Sequence, residues 1–252
     1  MKLALFGYGR MGQAAEAIAV QRGHKVALVL DEFSNRGGSG ITEAALDGAQ
    51  MAVDFSIAAA VHENVRQASE LGVSVVVGTT GWDGERDAVE AMAHAAKTGL
   101  LWAPNFSVGM LLFMRVVRLA ARLANRVEEY DVHLAEAHHR HKTDHPSGTA
   151  RRLAALVLEE LDRKSSWTAE LQDGVPFDAE QLQLSVARVG SVPGVHSLGL
   201  EGPDDRIELR HEARSRVGFA RGAVIAAEWL EGRSGVFTMD DVMEDLLGQA
   251  LP

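Results

Sequence analysis

The stretch from Glu136 to Ala150, EAHHRHKTDHPSGTA, gathers four of the chain's ten histidines with Arg140 and Lys142, and runs straight into Pro146-Ser147-Gly148-Thr149 and an apolar-periodic segment. Histidine exchanges protons near neutrality, and the unpaired N–H groups that open a helix attract anions. These residue types at this spacing suit a site that binds an anion and handles protons. Plainer readings use the same residues. Histidine pairs also decorate surfaces, and PSGT makes an ordinary helix entry, with Ser147 or Thr149 as cap and Pro146 preset for the first turn. A metal site competes as well, because His138 and His141 lie three apart with Glu136 and Asp144 near them. Zinc ligands are usually spaced more decisively, and Arg140 and Lys142 would repel a cation, so no metal is expected.

A second chemistry-bearing cluster lies near the start of the chain. Lys2 to Phe6 is a short apolar run leading into Gly7-Tyr8-Gly9-Arg10-Met11-Gly12, after which Ala14, Ala15, Ile18 and Ala19 keep helical spacing up to Gly23. Strand, glycine turn, helix is the order a dinucleotide requires. The first glycine permits the tight turn, the second lets the backbone approach a pyrophosphate, and the third lets helix and strand pack closely. Lys25 to Leu30 then reads as a strand ending at Asp31, whose carboxylate can accept hydrogen bonds from ribose hydroxyls. That charge favours NADH by opposing a 2′-phosphate, while Arg10 and Arg36 offset it, so both NADH and NADPH remain open. A glycine-rich turn without a ligand is the plainer alternative.

Both clusters need scaffolds, and the intervening sequence supplies them. Met51 to Phe55 and Val73 to Val77 read as strands, the second β-branched and suited to burial on both faces, with a helix from about Ala58 to Leu71 between them. Another helix runs from Asp83 or Gly84 to about Lys97, and a further strand from Leu100 to Ala103 ends at Pro104-Asn105-Phe106-Ser107. Repeated βα units imply a Rossmann-like, doubly wound parallel sheet, with Asp31, GYGRMG, GTTG (78–81) and PNFS lining one cleft at its carboxyl edge. Beyond Ser107 the pattern changes to α+β. A helix is expected over 108–127, a strand over 130–135, a helix over 150–163, a polar connection over 165–179, and strands over 182–189, 195–200 and 206–212. This second sheet is expected to be mixed and mostly antiparallel, with self-association as a way to cover it. Helices over 222–232 and 239–248, the latter capped by Thr238, return to the first domain, and no further strand is expected. The organisation is thus a dinucleotide-binding domain of residues 1–107 and 215–252 around an inserted substrate and oligomerisation domain of 108–214.

Composition bounds the function. The 252 residues are 46% hydrophobic, which supports packed cores, and contain no cysteine, which removes disulfides and thiolate chemistry. The formal charge of −10 disfavours nucleic acid, whose binding rests on Lys and Arg. Glycine interrupts MKLALFGYG too early for a signal peptide and no stretch is long enough to span a bilayer, so a soluble, cytoplasmic protein without membrane partners is expected.

With these pieces in place the chain resembles the 4-hydroxy-tetrahydrodipicolinate (dihydrodipicolinate) reductase family. The resemblance runs through GYGRMG, VDFS at 53–56, GTTG, PNFSVG at 104–109, EAHHRHKTDHPSGTA, and RSRVGFARGA to GVFTMDDVM, nearly the whole chain. It implies an oxidoreductase of diaminopimelate and lysine synthesis that uses NADH or NADPH to reduce a small cyclic dicarboxylate, in a two-domain homotetramer. By the same resemblance His138 is the proton donor, Lys142 its partner acid, and His139 a substrate contact, while Gly148 and Thr149 hold a carboxylate. Gly7, Tyr8, Gly9, Arg10, Met11, Gly78, Thr79, Thr80, Ala103, Pro104, Asn105 and Phe106 are implied cofactor contacts, with domain closure about the connections near 107 and 215. One departure is Pro193-Gly194-Val195-His196, where many members carry Gly-Glu-His; Arg188 and His196 fit either substrate-loop residues or polar strand positions. The competing functions are another small nicotinamide oxidoreductase acting on an imine or keto acid, and a dinucleotide sensor without turnover.

Overall fold

The computed structural model describes residues 1–248; residues 249–252, the end of the expected return segment, lie outside the description. The chain begins with β1 (Lys2–Phe6), α1 (Arg10–Gln21), β2 (Lys25–Leu30), α2 (Glu43–Leu46), β3 (Met51–Asp54), α3 (Ala58–Glu70), β4 (Ser74–Val77), α4 (Arg86–Ala96) and β5 (Gly99–Trp102). It continues through α5 (Val108–Ala124), β6 (Asp131–His138), α6 (Gly148–Glu160), β7 (Ser166–Thr168), β8 (Gln181–Arg188), β9 (Val195–Glu201) and β10 (Arg206–Glu212). It closes with α7 (Val217–Leu230), β11 (Gly235–Phe237) and α8 (Met239–Leu247). Two compact units result: Met1–Val108 with the segment from Arg216 onward, and Gly109–Ser215.

In the first unit a parallel sheet has the order β11-β5-β4-β3-β1-β2. The chain steps from β1 to β2 on one side and crosses to β3 on the other. The loops after β1 and β3 therefore flank the switch point where such sheets open a crevice. Helices α1 and α7 pack together, as do α3 and α4. Val75, Val76 and Val77 are accordingly buried, as a strand covered on both faces must be. Helix α1 stops where Gly23 takes a positive φ of 85°. Thr238 opens α8 with a capping box, its hydroxyl and backbone N–H both donating to Asp241 while the hydroxyl accepts from the helix.

One strand was not expected in this unit. β11 follows Arg233-Ser234 and pairs with β5, Val236 beside Leu100. At three residues, opened by a glycine, it carries too little periodicity to distinguish from a turn.

The second unit holds a five-stranded sheet of order β10-β9-β6-β8-β7. It is mixed, but not mostly antiparallel: β10 and β9 run antiparallel to their neighbours, whereas β6 pairs parallel with β8 and β8 parallel with β7. The crossover through α6 brings the chain back in the same direction, which makes the β6–β8 pairing parallel. β7 itself falls in a segment expected to be a polar connection. Strand β6 runs three residues past its expected end, as far as His138. No helix among the described residues is long and apolar enough to cross a membrane.

Candidate active site

Alternation along β6 sends Val132, Leu134, Glu136 and His138 to one buried face, on which α6 packs. The first two are core residues of the ordinary kind. The last two carry that face into a polar pocket at the strand's carboxyl end. Sheet register completes the cluster: His196 on β9 lies opposite Glu136, and Arg188 on β8 lies beside His138. Helix α6 starts at Gly148, so its cap, Ser147, arrives at the same place.

Glu136 is the centre of this group, with a side chain wholly out of solvent. Its Oε1 accepts from the Ser147 N–H at 2.9 Å and from Arg188 Nη2 at 2.9 Å. Its Oε2 accepts from the Ser147 hydroxyl and lies 3.1 Å from His138 Nδ1 and 3.6 Å from His196 Nε2. The His138 contact has an ion-pair distance without hydrogen-bond alignment, since Nδ1 has no aligned partner. Burial alone would raise the Glu136 pKa, but His138, Ser147 and Arg188 outweigh it and hold the carboxyl well below the usual range. His196 moves the other way. Burial first, then the charge of His138, push it down to about 4 against the pull of Glu136, with His211 and Lys142 adding to the depression. The site at neutral pH therefore contains an anionic Glu136 beside a neutral His196.

Ligand atoms of Glu136, His138 and His196 lie within 4.8 Å of one another, a spacing that also suits a metal. The donor set fits one poorly. Ser147 and Arg188 already engage both carboxylate oxygens, and the guanidinium would sit beside any cation bound there.

Among the residues singled out in the sequence, Lys142 is partly buried, with Nζ 2.7 Å from Asp144 Oδ1. Asp144 is lowered from its ordinary value, by Lys142 first. Gly148 is exposed and Thr149 partly so, on the open side of the same helix start. His139 is half-buried, with its ring 6.4 Å from that of His141 and its Nδ1 lacking a hydrogen-bond partner. By sequence alone Glu136 stands only among possible metal ligands, and Arg188 and His196 fit either of two roles. The one local signal for Glu136 was its i, i+2 spacing from His138, which places both on one strand face. Convergence of Arg188 and His196 depends on strand register, which no local pattern reveals.

In the first unit the glycine turn is built as its spacing suggests. Gly7 has a φ of 88°, and a Cβ there would fall 2.4 Å from the Phe55 carbonyl oxygen; a Cβ on Gly12 would fall 2.1 Å from the Gly7 carbonyl. These two glycines are demanded by packing. Gly9 differs, since nothing lies within 4 Å of where its Cβ would be, and it caps α1 without any side-chain hydrogen bond. A cavity of about 690 Å³ opens beside this turn, lined among others by Gly7, Gly9, Asp31, Arg36 and Ser56. Backbone donors at an uncapped helix start, next to open space, fit a pyrophosphate. Asp31 Oδ1 accepts from the N–H groups of Phe33 and Ser34 and from the Ser34 hydroxyl, which hold its pKa down, and Arg36 faces the same cavity.

The remaining residues singled out on this unit divide between cavity lining and support. Thr80, Ala103 and Pro104 line a smaller cavity of about 130 Å³, together with Trp82, Arg86 and Trp102. Thr79 also borders it, but its hydroxyl turns inward to Asp54 Oδ1 at 2.8 Å. Asp54 is fully buried and also accepts from Ser56 and Asn64, so it ties the ends of β3 and β4 to α3. Gly78 makes room for the Phe55 ring, which a Cβ would strike at 2.2 Å. Asn105 folds back to accept from the Ser107 N–H at 2.8 Å.

Comparison with known proteins covers nearly the whole chain. Residues 1–106 match the family model for the N-terminus of dihydrodipicolinate reductase, and residues 109–243 match that for its C-terminus. The chain is 36% identical to the 4-hydroxy-tetrahydrodipicolinate reductase of Christiangramia forsetii, over 98% of this chain and 99% of that one. It is 36% identical to the enzyme of the same name from Archaeoglobus fulgidus, over 97% and 100%. A solved dipicolinate-bound dihydrodipicolinate reductase from Paenisporosarcina sp. TG-14 has the same fold, with a TM-score of 0.76 at 21% identity over 96% of this chain and 99% of that one.

Proposed function

The chain belongs to the dihydrodipicolinate reductase family, and from that premise we propose that it reduces 4-hydroxy-tetrahydrodipicolinate, by way of dihydrodipicolinate, to tetrahydrodipicolinate with NADH or NADPH. This is a step of diaminopimelate and lysine synthesis. The observation that carries the reading is His138, held beside a buried anionic Glu136 at the entrance to α6. A bound dinucleotide supplies hydride to C4 of the unsaturated ring. Electrons displaced toward the ring nitrogen leave an enamine that must be protonated, and His138 is positioned as the donor, a contribution of about 10²–10⁴-fold. Lys142, His139 and the Gly148 and Thr149 N–H groups supply positive charge and donors for the two carboxylates. The turn from Gly7 to Met11 receives the pyrophosphate, and Asp31 beside Arg36 leaves the choice between a ribose hydroxyl and a 2′-phosphate balanced. For assembly, we read the less buried face of the second sheet, including His133, Ala135 and Ala137, as the surface of a homotetramer. The absence of cysteine supports a cytoplasmic setting.

The test follows near-ultraviolet absorbance of NADH or NADPH with substrate generated in place from pyruvate and aspartate semialdehyde by the preceding synthase. Oxidation that needs every component supports the reductase and ranks the two cofactors. His138→Gln is expected to lower kcat by about 10²-fold or more while leaving the dinucleotide Kd unchanged, and Lys142→Ala to damage both kcat and substrate KM. Tight dinucleotide binding without oxidation of either cofactor would instead indicate a sensor.

A further inference from the structure

A proton donor must present one defined ring nitrogen, and nothing in the assignment of His138 says which. We propose that Glu136 is a positioning residue that keeps hydrogen on His138 Nδ1, so that Nε2 alone exchanges a proton with the substrate. The inference rests on His138 being the donor.

The geometry restricts the alternatives. A nitrogen lone pair 3.1 Å from a buried carboxylate oxygen is repelled, whereas an N–H is attracted. Nδ1 therefore carries hydrogen in both the neutral and the cationic ring, even without ideal alignment. Glu136 is restrained from turning away by the Ser147 N–H, the Ser147 hydroxyl and Arg188. Arg188 Nη2 also donates to the Asp144 carbonyl at 2.6 Å, which ties the carboxylate's support to the loop leading into α6. His196 stands edge-on to His138 with ring centroids 5.1 Å apart, closing one side without adding a charge. The other ring nitrogen faces Gly194, where a Cβ would come within 3.1 Å of Nε2. Glycine there leaves Nε2 free of side-chain cover. The Pro-Gly-Val-His sequence thus delivers a gap over one histidine and a second histidine beside it.

Glu136→Gln gives a directional test. The Oε1 position faces two donors, the Ser147 N–H and Arg188, so the amide oxygen belongs there and the NH₂ group must face Nδ1. A neutral His138 then has to move its hydrogen to Nε2, and an imidazolium would meet an amide donor with its own N–H. The readout is ¹⁵N–¹H long-range NMR of histidine-labelled full-length protein, with His138 signals assigned by their loss in His138→Gln. Wild type is expected to show the Nδ1–H tautomer when neutral, and Glu136→Gln the Nε2–H tautomer. The same variant should lose about 10²-fold or more in kcat, with KM and dinucleotide Kd within about threefold, and Glu136→Asp should recover part of the loss. A neutral wild-type His138 carrying hydrogen on Nε2 would overturn the proposal without any variant, which covers a Glu136→Gln protein that fails to fold. Glu136→Gln with wild-type kcat would also overturn it, whatever its tautomer. Should His138→Gln retain turnover, it is the donor assignment that falls, and the tautomer measurement identifies that case separately.

Discussion

Two helices of this molecule open on candidate ligand sites, and they are capped in opposite ways. Helix α1 begins after Gly9, which offers no side chain to the free N–H groups and leaves open space around itself. Helix α6 begins after Ser147, whose hydroxyl accepts from the Ala150 N–H at 3.1 Å and donates to Glu136. One terminus is uncapped, as the proposed pyrophosphate site requires. The other is woven into a buried charge cluster that places a histidine. Damage should therefore differ in kind: on the first unit by filling space, on the second by leaving charge or protons in the wrong place.

The sharpest way to break that comparison is within the glycine turn. Gly7→Ala would force an L residue into positive φ, costing about 1–2 kcal/mol, and press a methyl onto the Phe55 carbonyl, costing a further ~1–3 kcal/mol. A lower Tm and loss of dinucleotide binding are expected together. Gly9→Ala meets no atom within 4 Å, so its Tm should stay near wild type while dinucleotide affinity falls by about tenfold or more. Calorimetric melting and a dinucleotide titration on both variants separate the roles. Equal loss of Tm in both would mean that Gly9 also serves the fold.

The second unit should be distinguished by its response to acid. His196 has a folded pKa of about 4 against an ordinary value of 6.5, so below pH 6.5 the unfolded chain takes up the proton first. Folded stability is then lost progressively down to about pH 4, by roughly 3 kcal/mol at most. Glu136 has the opposite linkage. Its lowered pKa adds stability above the ordinary carboxyl range, and that is lost only as pH falls below about 4.5. Between pH 6.5 and 4.5 the slope therefore belongs to His196, with His211, lowered by burial, acting in the same direction. Urea denaturation at several pH values should show His196→Gln losing about one proton's worth less stability across this window than wild type. Parallel pH curves for the two proteins would rule out a buried neutral His196.

The two regions were also unequally legible in the sequence. The glycine turn is legible locally because strand, GxGxxG and helix follow one another in one βα unit, and Gly12 answers to the Gly7 carbonyl within it, although the contact that demands Gly7 comes from Phe55. Val75 to Val77 likewise announce a strand buried on both faces by being β-branched without interruption. Glu136 and His138 did not announce theirs. Their charge interrupts the apolar alternation of Val132 and Leu134, so β6 reads as ending early although its buried face continues. Arg188 and His196 lie 52 and 60 residues from Glu136 in sequence and reach it only through strand register. Thr79 shows the converse limit. It belongs to a motif that reads as a cofactor contact, yet its hydroxyl is engaged by Asp54, whose place beneath the β3 and β4 ends emerges only in three dimensions.

The smallest expected effect tests how closed the α6 terminus is. Asp144 pairs with Lys142 at 2.7 Å, so an internal carboxylate occupies one of the donors proposed to hold the substrate. Its side chain is 45% exposed, and exposed pairs of this sort are worth about 0.2–1 kcal/mol, little enough for a dicarboxylate to displace. Removing it should release that donor. Asp144→Ala is therefore expected to lower the substrate KM about two- to fivefold with kcat nearly unchanged. A raised KM would have the opposite meaning, that Asp144 orients Lys142 toward the substrate instead of standing in for it, and the two helix termini would then both be open to their ligands.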